Sequence, residues 1–392
     1  AEILSYASLP SYDPTHYNLS TIDQRMNRPT IEAFEPGSVF KIFSLAALLD
    51  GGYINDNDLF DCPGFYTTKA GNDIITIRCT GVHGLQNISQ VLANSCNAGT
   101  AYASERMANQ DFYNKLREFG FGRRTGIPLA GETNGLLANP QKWSARSKAT
   151  IALGQEVGVS ALQLVQAATT LTNQGAMIKP RIVRRLIDNH GNTFQSYDRE
   201  VVAQVLTPAT ATAMLKQMEY SVNHGIARRL QLSEISVGAK TGTSQTINHT
   251  TGVYSTDNFI ASTLALVPAK EPQYIIYVAL HRPLAGTIWG SAVVAPLIRD
   301  MIQLMIPLVG LPASGVRIWK ASTLPHRQQP YYPIFSPSLP SLVGLHRRQA
   351  LNFFSHPEIT YRLIGTNDII TDQFPPEGTL LRPQMSIRLE TQ

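Results

Sequence analysis

Apolar and polar positions follow two rhythms along this chain. Residues 38–50, "SVFKIFSLAALLD", are almost wholly apolar and stop at Gly51 and Gly52, which predicts a buried helix. Helical spacing recurs at 88–107, 111–122, 160–175 and 207–225, with glycines Gly120, Gly175 and Gly225 as stops. Strand-like alternation opens the chain in "AEILSYA". It returns after residue 235 in three neighbouring runs, "ISVGAKTGTSQ", "DNFIASTLALVPA" and "QYIIYVALHRP", which predict an antiparallel sheet. "GSAVVAPLIRDMIQLM", from 290 to 305, reverts to helix and is expected to pack on that sheet. The pattern implies a mixed α/β (α+β) fold.

The periodicity breaks after residue 311. "PASGVRIWKASTLPHRQQPYYPIFSPS" is proline-rich and aperiodic, and reads as a linker. A compact unit follows, with a helix "RRQALNFF" and short strands "TYRLIG", "DIITDQF" and "MSIRLE". The organisation expected is therefore a large domain over 1–311, a linker over 312–337 and a small α+β domain over 338–392.

Composition narrows the function classes. Of 392 residues, 43% are hydrophobic, enough for a real core, and only 16% are charged, which excludes a disordered chain. The net charge is +5, but no Lys/Arg run concentrates it, so nucleic-acid binding is not expected. No continuous apolar run of about 18 residues is present, so no transmembrane helix is expected. No signal peptide opens the chain either. The strand-like start implies that upstream sequence, with any membrane anchor, is absent.

One feature of the first helix conflicts with its apolar character. Lys41 stands in the middle of it, three residues after Ser38. Residues at i and i+3 share a helical face. Either Lys41 snorkels to solvent from a surface helix while Ser38 serves as an N-cap, or it is dry and loses its proton readily. A neutral amine beside a hydroxyl is a general base beside a nucleophile. Two more clusters bear on the choice: "SCN", with Ser95, Cys96 and Asn97, and "KTGT", with Lys240, Thr241, Gly242 and Thr243. Each alone is a weak signal. In this order they form S-x-x-K, S-x-N and K-T-G, a set known from acyl-serine enzymes that act on D-alanyl peptides and β-lactams.

Three cysteines are present. Cys62 and Cys79 flank the hairpin-like "PGFYTTKAGNDIITIR" and are equally compatible with a disulfide or with two free thiols. Cys96 reads as a small buried filler. No Cys/His cluster is evident at metal-ligand spacing, so no metal and no cofactor are expected. His83 and His281 read as structural, and Asn27, Arg28 and Glu35 as surface residues just upstream of Ser38.

On those motifs the sequence resembles the transpeptidase domain of class B penicillin-binding proteins. "NRPTIEAFEPGSVFK", "HGLQNISQVLANSCNAG", "FGFGRRTGIPLAGE", "TLTNQGAMIKPRIV" and "GSAVVAPLI" extend the likeness across residues 1 to about 305. The tail, with "PSLVGLHRRQAL" and "DQFPPEGTLL", looks like a PASTA module. The resemblance implies a penicillin-binding-protein/β-lactamase-like fold, an antiparallel sheet packed by helices plus an all-helical subdomain.

It also implies an extracytoplasmic D,D-transpeptidase that crosslinks peptidoglycan stem peptides in septal wall synthesis. The partners implied are stem peptides ending in D-Ala-D-Ala, β-lactams, a glycosyltransferase and divisome membrane proteins. The residue roles implied are Ser38 as nucleophile, Lys41 as base and Ser95 as proton relay. Lys240 supplies positive charge, and Asn97, Thr241, Gly242 and Thr243 hold the substrate. The N–H groups of Ser38 and Thr243 form the oxyanion hole. The alternatives are a β-lactamase or D,D-carboxypeptidase, and a β-lactam or muropeptide sensor or division scaffold without crosslinking activity. A class A β-lactamase requires a water-activating glutamate, and the nearest acidic candidate, Glu132, lacks a matching local pattern.

Overall fold

The computed structural model describes residues 1–189, 191–247, 253–284, 286–312, 337–351, 353, 360–365, 367–383 and 385–391. Nearly all of the sequence-predicted linker lies outside these residues. The chain forms two compact units, Ala1–Arg184 with Tyr197–Ile318, and Arg185–Ser196 with Trp319–Gln392.

The first unit is built around α1 (Lys41–Asp50), whose residues from Lys41 to Leu48 are all buried. A short 3₁₀ turn, Gly37–Phe40, leads into it, so Ser38 lies in that turn and makes no N-cap hydrogen bond. The helix begins three residues later than its apolar pattern predicts. The reason is visible at Gly37, whose φ of +53° sets the chain's entry angle.

Four strands follow: β1 (Leu59–Cys62), β2 (Phe65–Ala70), β3 (Asp73–Arg78) and β4 (Gly84–Asn87). β2 and β3 form the predicted hairpin, and β1 pairs antiparallel with β4. The helical region predicted over 88–107 is two helices, α2 (Ile88–Ala93) and α3 (Asn97–Glu105). A capping box between Asn87 and Gln90 starts α2, and the break before α3 contains Ser95 with φ +55°. Then come α4 (Asn109–Glu118), α5 (Ser147–Ala152), α6 (Ala161–Thr172) and α7 (Pro208–His224).

The three β-rich runs form one antiparallel sheet in the order β5 (Gly238–Ile247), β6 (Tyr254–Val267), β7 (Tyr274–His281). Central β6 is buried on both faces. Leu264 and Leu266 join the core with α1 and α6, while Ala261, Ala265 and Val267 join a second core with α8 (Gly290–Val309). α8 packs on the sheet as its pattern predicts. It is also long and apolar enough to cross a membrane by length and composition, contrary to the sequence expectation. Its buried face, Val294, Ala295, Ile298, Ile302 and Ile306, marks it as a core helix here.

The opening "AEILSYA" is not a regular strand. Among the described residues it makes a single parallel bridge, Glu2 to Arg181.

The second unit holds an antiparallel hairpin, Arg185–Ile187 with Thr193–Ser196. It also holds α9 (Arg347–Leu351) and a three-stranded sheet of β8 (Thr360–Ile364), β9 (Ile370–Phe374) and β10 (Ser386–Thr391). β10 is central, parallel to β8 and antiparallel to β9. Leu339, Leu342, Ala350, Phe353, Ile370, Ile387 and Leu389 make its small core.

One contact in the first unit fixes the position of the Ser38 turn. Gly37 N–H donates to the carbonyl of Gly154 at 3.0 Å, and Gly154 has φ +84°. A Cβ on Gly154 would lie 2.1 Å from Gly37 O and 2.8 Å from the Phe40 Cβ. Gly154→Ala is therefore expected to destabilise the chain by more than the roughly 1–2 kcal/mol of left-handed strain alone. Denaturant unfolding measures this, and an unchanged midpoint would show the turn to be adaptable.

Candidate active site

The three motifs converge on one buried point. Lys41, on the first turn of α1, is fully buried. Its Nζ donates to Ser95 O at 2.6 Å and to Asn97 Oδ1 at 2.7 Å, and lies 3.5 Å from Ser95 Oγ. Lys240, on β5, is fully buried as well. It donates to Ser95 Oγ at 2.9 Å and to Thr241 O at 2.8 Å. Two lysine amines thus share one serine.

Ser95 meets both because its left-handed backbone turns its carbonyl and hydroxyl toward the lysines, a conformation that costs about 1–3 kcal/mol in a non-glycine residue. Asn97 opens α3, and its amide is engaged on both sides, with Oδ1 accepting from Lys41 and Nδ2 donating to Arg78 O at 2.9 Å.

Burial dominates the electrostatics. Desolvation lowers Lys41 to about 8, while the nearby cysteines act in the opposite direction. Lys240 is pushed well below its usual value by burial first and by the Lys41 charge second. The snorkelling reading of Lys41 is thereby excluded, and the amine is poised to lose its proton near neutral pH.

Ser38 sits beside β5. A Cβ on Gly37 would lie 3.0 Å from Thr243 O and 3.2 Å from the Ser244 Cβ. Ser38 lies in the 3₁₀ turn that leads directly into the helix carrying Lys41, three residues before it. Among the described residues the Ser38 hydroxyl makes no hydrogen bond, and the lysine proton donors point to Ser95 and Asn97.

Gly242 has a reason that the sequence did not reveal. A Cβ there would meet the Val39 side chain at 2.9 Å, Ser262 Oγ at 2.9 Å and Pro36 O at 3.0 Å. Its bareness lets the Ser38 turn lie against the strand. Thr243 Oγ1 accepts from Gly290 N at 3.1 Å, which ties the N-terminus of α8 to the same strand. β5 is an edge of its sheet in the described residues, and so offers backbone to an extended ligand.

Residues upstream of Ser38 serve the framework. Glu35 Oε1 accepts from Glu156 N at 2.8 Å and from Tyr254 Oη at 3.0 Å, and burial raises its carboxyl. Arg28 pairs with Asp23, and Asn27 accepts from Tyr6. Burial lowers His281, which faces Glu32 at 3.5 Å. Glu132 accepts from the Thr125 N–H at 2.7 Å, the Thr125 hydroxyl and Gly126 N–H at 3.1 Å. Its carboxylate is committed to that turn.

The cysteines require a correction. Cys62, Cys79 and Cys96 are free thiols, so of the two readings for Cys62 and Cys79 the structure shows the unbridged one. Cys96 is no mere filler, and the expectation of no Cys/His cluster does not hold. The ligand atoms of Cys62, Cys79, His83 and Cys96 lie within 4.8 Å of one another. His83 Nδ1 is 3.5 Å from both Cys62 Sγ and Cys79 Sγ, and Cys79 Sγ is 3.8 Å from Cys96 Sγ. The contact with Cys96, with backbone N–H groups of Ala98 and Asn97, holds the Cys79 thiol well below the usual range. Cys96, against the Cys79 sulfur, is pushed up. The sequence did carry one local signal, the C-x₃-H of "CTGVH". The other two ligands come from distant segments and only the fold brings them in.

The comparisons agree with this architecture. The profile of the family described as "Penicillin binding protein transpeptidase domain" matches residues 1–303. Stage V sporulation protein D of Bacillus subtilis is 33% identical over 99% of this chain and 58% of its own length. Penicillin-binding protein PbpB of Mycolicibacterium smegmatis is 29% identical over 80% of this chain and 49% of its own. The chain therefore spans about half the length of these curated relatives. Among solved structures, penicillin-binding protein 3 of Mycobacterium tuberculosis in complex with aztreonam superposes with a TM-score of 0.67 at 26% identity, covering 73% of this chain and 65% of the other. The fold is the mixed α/β penicillin-binding-protein transpeptidase fold.

The burial of Lys41 has a direct readout. Its ammonium is expected to titrate near pH 8 by NMR of the side-chain amine, against about 10.4 for an exposed lysine. A value near 10 would mean that the site is wet.

Proposed function

The chain belongs to the penicillin-binding protein transpeptidase family, and from that membership and the site geometry we propose that it is a serine D,D-transpeptidase crosslinking peptidoglycan stem peptides. The observation that carries this reading is the pair of buried lysines joined through Ser95, beside the Ser38 turn.

Ser38 Oγ attacks the carbonyl carbon between two terminal D-alanines as neutral Lys41 takes the hydroxyl proton. The N–H groups of Ser38 and Thr243 stabilise the resulting oxyanion, each such donor being worth roughly 2.7–4 kcal/mol. The substrate lies along the β5 edge, with its terminal carboxylate toward Lys240 and Thr241. Ser95 passes the proton to the departing D-alanine amine, leaving an acyl-ester on Ser38. The amine of a second stem peptide attacks that ester and completes the crosslink. Asn97 reaches the peptide backbone once its amide leaves Lys41. β-Lactams acylate Ser38 by the same route. Commitment of Glu132 to the 125–127 turn favours this over a class A β-lactamase.

The same reading extends to the setting. The enzyme acts outside the cytoplasmic membrane, in septal or spore wall synthesis, with a glycosyltransferase and division proteins as partners. Residues 1–311 are its catalytic domain, 312–337 a linker and 338–392 a PASTA-like docking module. The helix α9 and the sheet β8–β10, with their own small core, support that last assignment.

Fluorescent penicillin is expected to label the wild-type chain and not Ser38→Ala, with thermal stability retained in both. Labelling that survives the substitution would refute the acyl-serine reading. A second expectation concerns pH. Protonation disables Lys41, so acylation is expected to slow about tenfold per unit as pH falls below about 8. A rate flat from pH 6 to 9 would count against Lys41 as base. Crosslinking of lipid-linked substrate separates a transpeptidase from a sensor that only acylates.

A further inference from the structure

The two N–H groups of the proposed oxyanion hole come from separate parts of the chain. Ser38 lies in the turn before α1, and Thr243 lies on β5. Their separation matters, because such donors act only at about 2.7–3.1 Å from the developing charge. Close packing at Gly37 and Gly242 sets part of that separation. Glu35 adds a polar tie across the same seam.

Glu35 stands three residues before Ser38. Backbone bonds fix its segment on one side. Phe34 exchanges hydrogen bonds with Val159 at 3.0 and 2.9 Å, and Gly37 N–H donates to Gly154 O at 3.0 Å. Within that stretch Glu35 Oε1 accepts from Glu156 N at 2.8 Å. The same oxygen accepts from Tyr254 Oη at 3.0 Å. Tyr254 opens β6, and its partner across the ladder is Ile247, the last residue of β5. One carboxylate oxygen thus joins the Ser38 segment, the 154–159 stretch and the β5–β6 pair.

The surroundings favour a fixed tie. Glu35 Oε2 is buried with no hydrogen-bond partner among the described residues, so the carboxylate is kept at a cost that its other oxygen must offset. Glu156 does not compete for Tyr254, because Arg146 Nε at 3.1 Å and Ser147 Oγ at 2.7 Å hold its own carboxylate. Burial first, then the Glu35 charge, raise the Tyr254 hydroxyl, which therefore stays protonated and donating.

We propose that the Glu35–Tyr254 hydrogen bond is a positioning tie that sets the Ser38 turn against β5, so that the N–H groups of Ser38 and Thr243 meet on one oxyanion. Both are positioning residues for the reaction, and the effect on rate rests on the acyl-serine reading of Ser38. The tie matters most where charge develops, so its loss falls on the acylation step and not on the encounter with the ligand.

The test uses the full chain and stopped-flow acylation by a fluorescent penicillin, which separates the noncovalent dissociation constant from the acylation rate constant. Tyr254→Phe and Glu35→Ala are each expected to slow acylation at least about tenfold, since a misplacement of about 1 Å costs on the order of 100-fold. The dissociation constant is expected to stay within about twofold, because ground-state contacts are untouched. Glu35→Gln, which keeps an acceptor oxygen, should retain most of the rate. The double variant should be no slower than Glu35→Ala alone. Amide exchange at Gly37 N–H should quicken in Tyr254→Phe, whether or not the chain acylates.

Tyr254→Phe removes a single oxygen and carries the test if Glu35→Ala fails to fold. Wild-type acylation and wild-type Gly37 exchange in Tyr254→Phe would overturn the tie. A loss confined to the dissociation constant would make Tyr254 a ligand contact and overturn the positioning role. Glu35→Gln as slow as Glu35→Ala would make charge the operative feature and also overturn it. A wild-type chain that never acylates would count against the acyl-serine reading, and the Gly37 exchange would then decide the tie by itself.

Discussion

The rest of the site depends on keeping two lysines dry within reach of one hydroxyl. An isolated ammonium in a protein interior is costly unless it is hydrogen-bonded or gives up its proton. Lys41 and Lys240 are both fully buried, and Ser95 is the group they have in common. Burial lowers both, and the Lys41 charge lowers Lys240 further, so the arrangement disfavours charging both amines at once. The apolar run of α1 excludes water from one side, and the buried strand β5 does so from the other. What would be a packing fault in an ordinary helix is here an amine that burial makes ready to lose its proton.

That constraint explains several local features. Ser95 must present a carbonyl to one lysine and a hydroxyl to the other, so it adopts a left-handed backbone and breaks what would otherwise be one long helix. Strain of this kind persists only where the surroundings over-determine it. The surroundings here are the Asn87–Gln90 capping box that starts α2, the Cys96 cap that starts α3, and the cluster of sulfur and imidazole ligands on the far side of the turn. Opposite, Gly37, Gly154 and Gly242 let three backbone segments approach more closely than any side chain would allow. The Ser38 turn, the lysine helix and strand β5 are thus held by missing atoms as much as by present ones.

Much of the site was legible in advance. Three short motifs, each weak, became specific in combination because acyl-serine chemistry needs a hydroxyl, a neutral amine and a relay in one place. The helix spans at 160–175 and 207–225 and the three-strand sheet followed from periodicity, which reports burial on one face or both. The readings that failed share a cause. The start of α1, the break between α2 and α3, the single bridge at Glu2 and the gathering of the cysteines with His83 all depend on residues far apart in the chain. Gly242 was legible only as part of the K-T-G motif, because its contacts with Pro36, Val39 and Ser262 come from distant segments.

By itself, then, the sequence determined which candidate groups meet in the site and the elements that carry them. Side-chain chemistry and hydrophobic period are local properties. The tertiary structure alone decided the environment of those groups: that Lys41 is dry and not snorkelled, that Ser95 and Asn97 and not Ser38 receive its hydrogen bonds, and that Cys62, Cys79, His83 and Cys96 form one cluster. Desolvation and ligand geometry depend on distance in space, and no spacing along the chain encodes it.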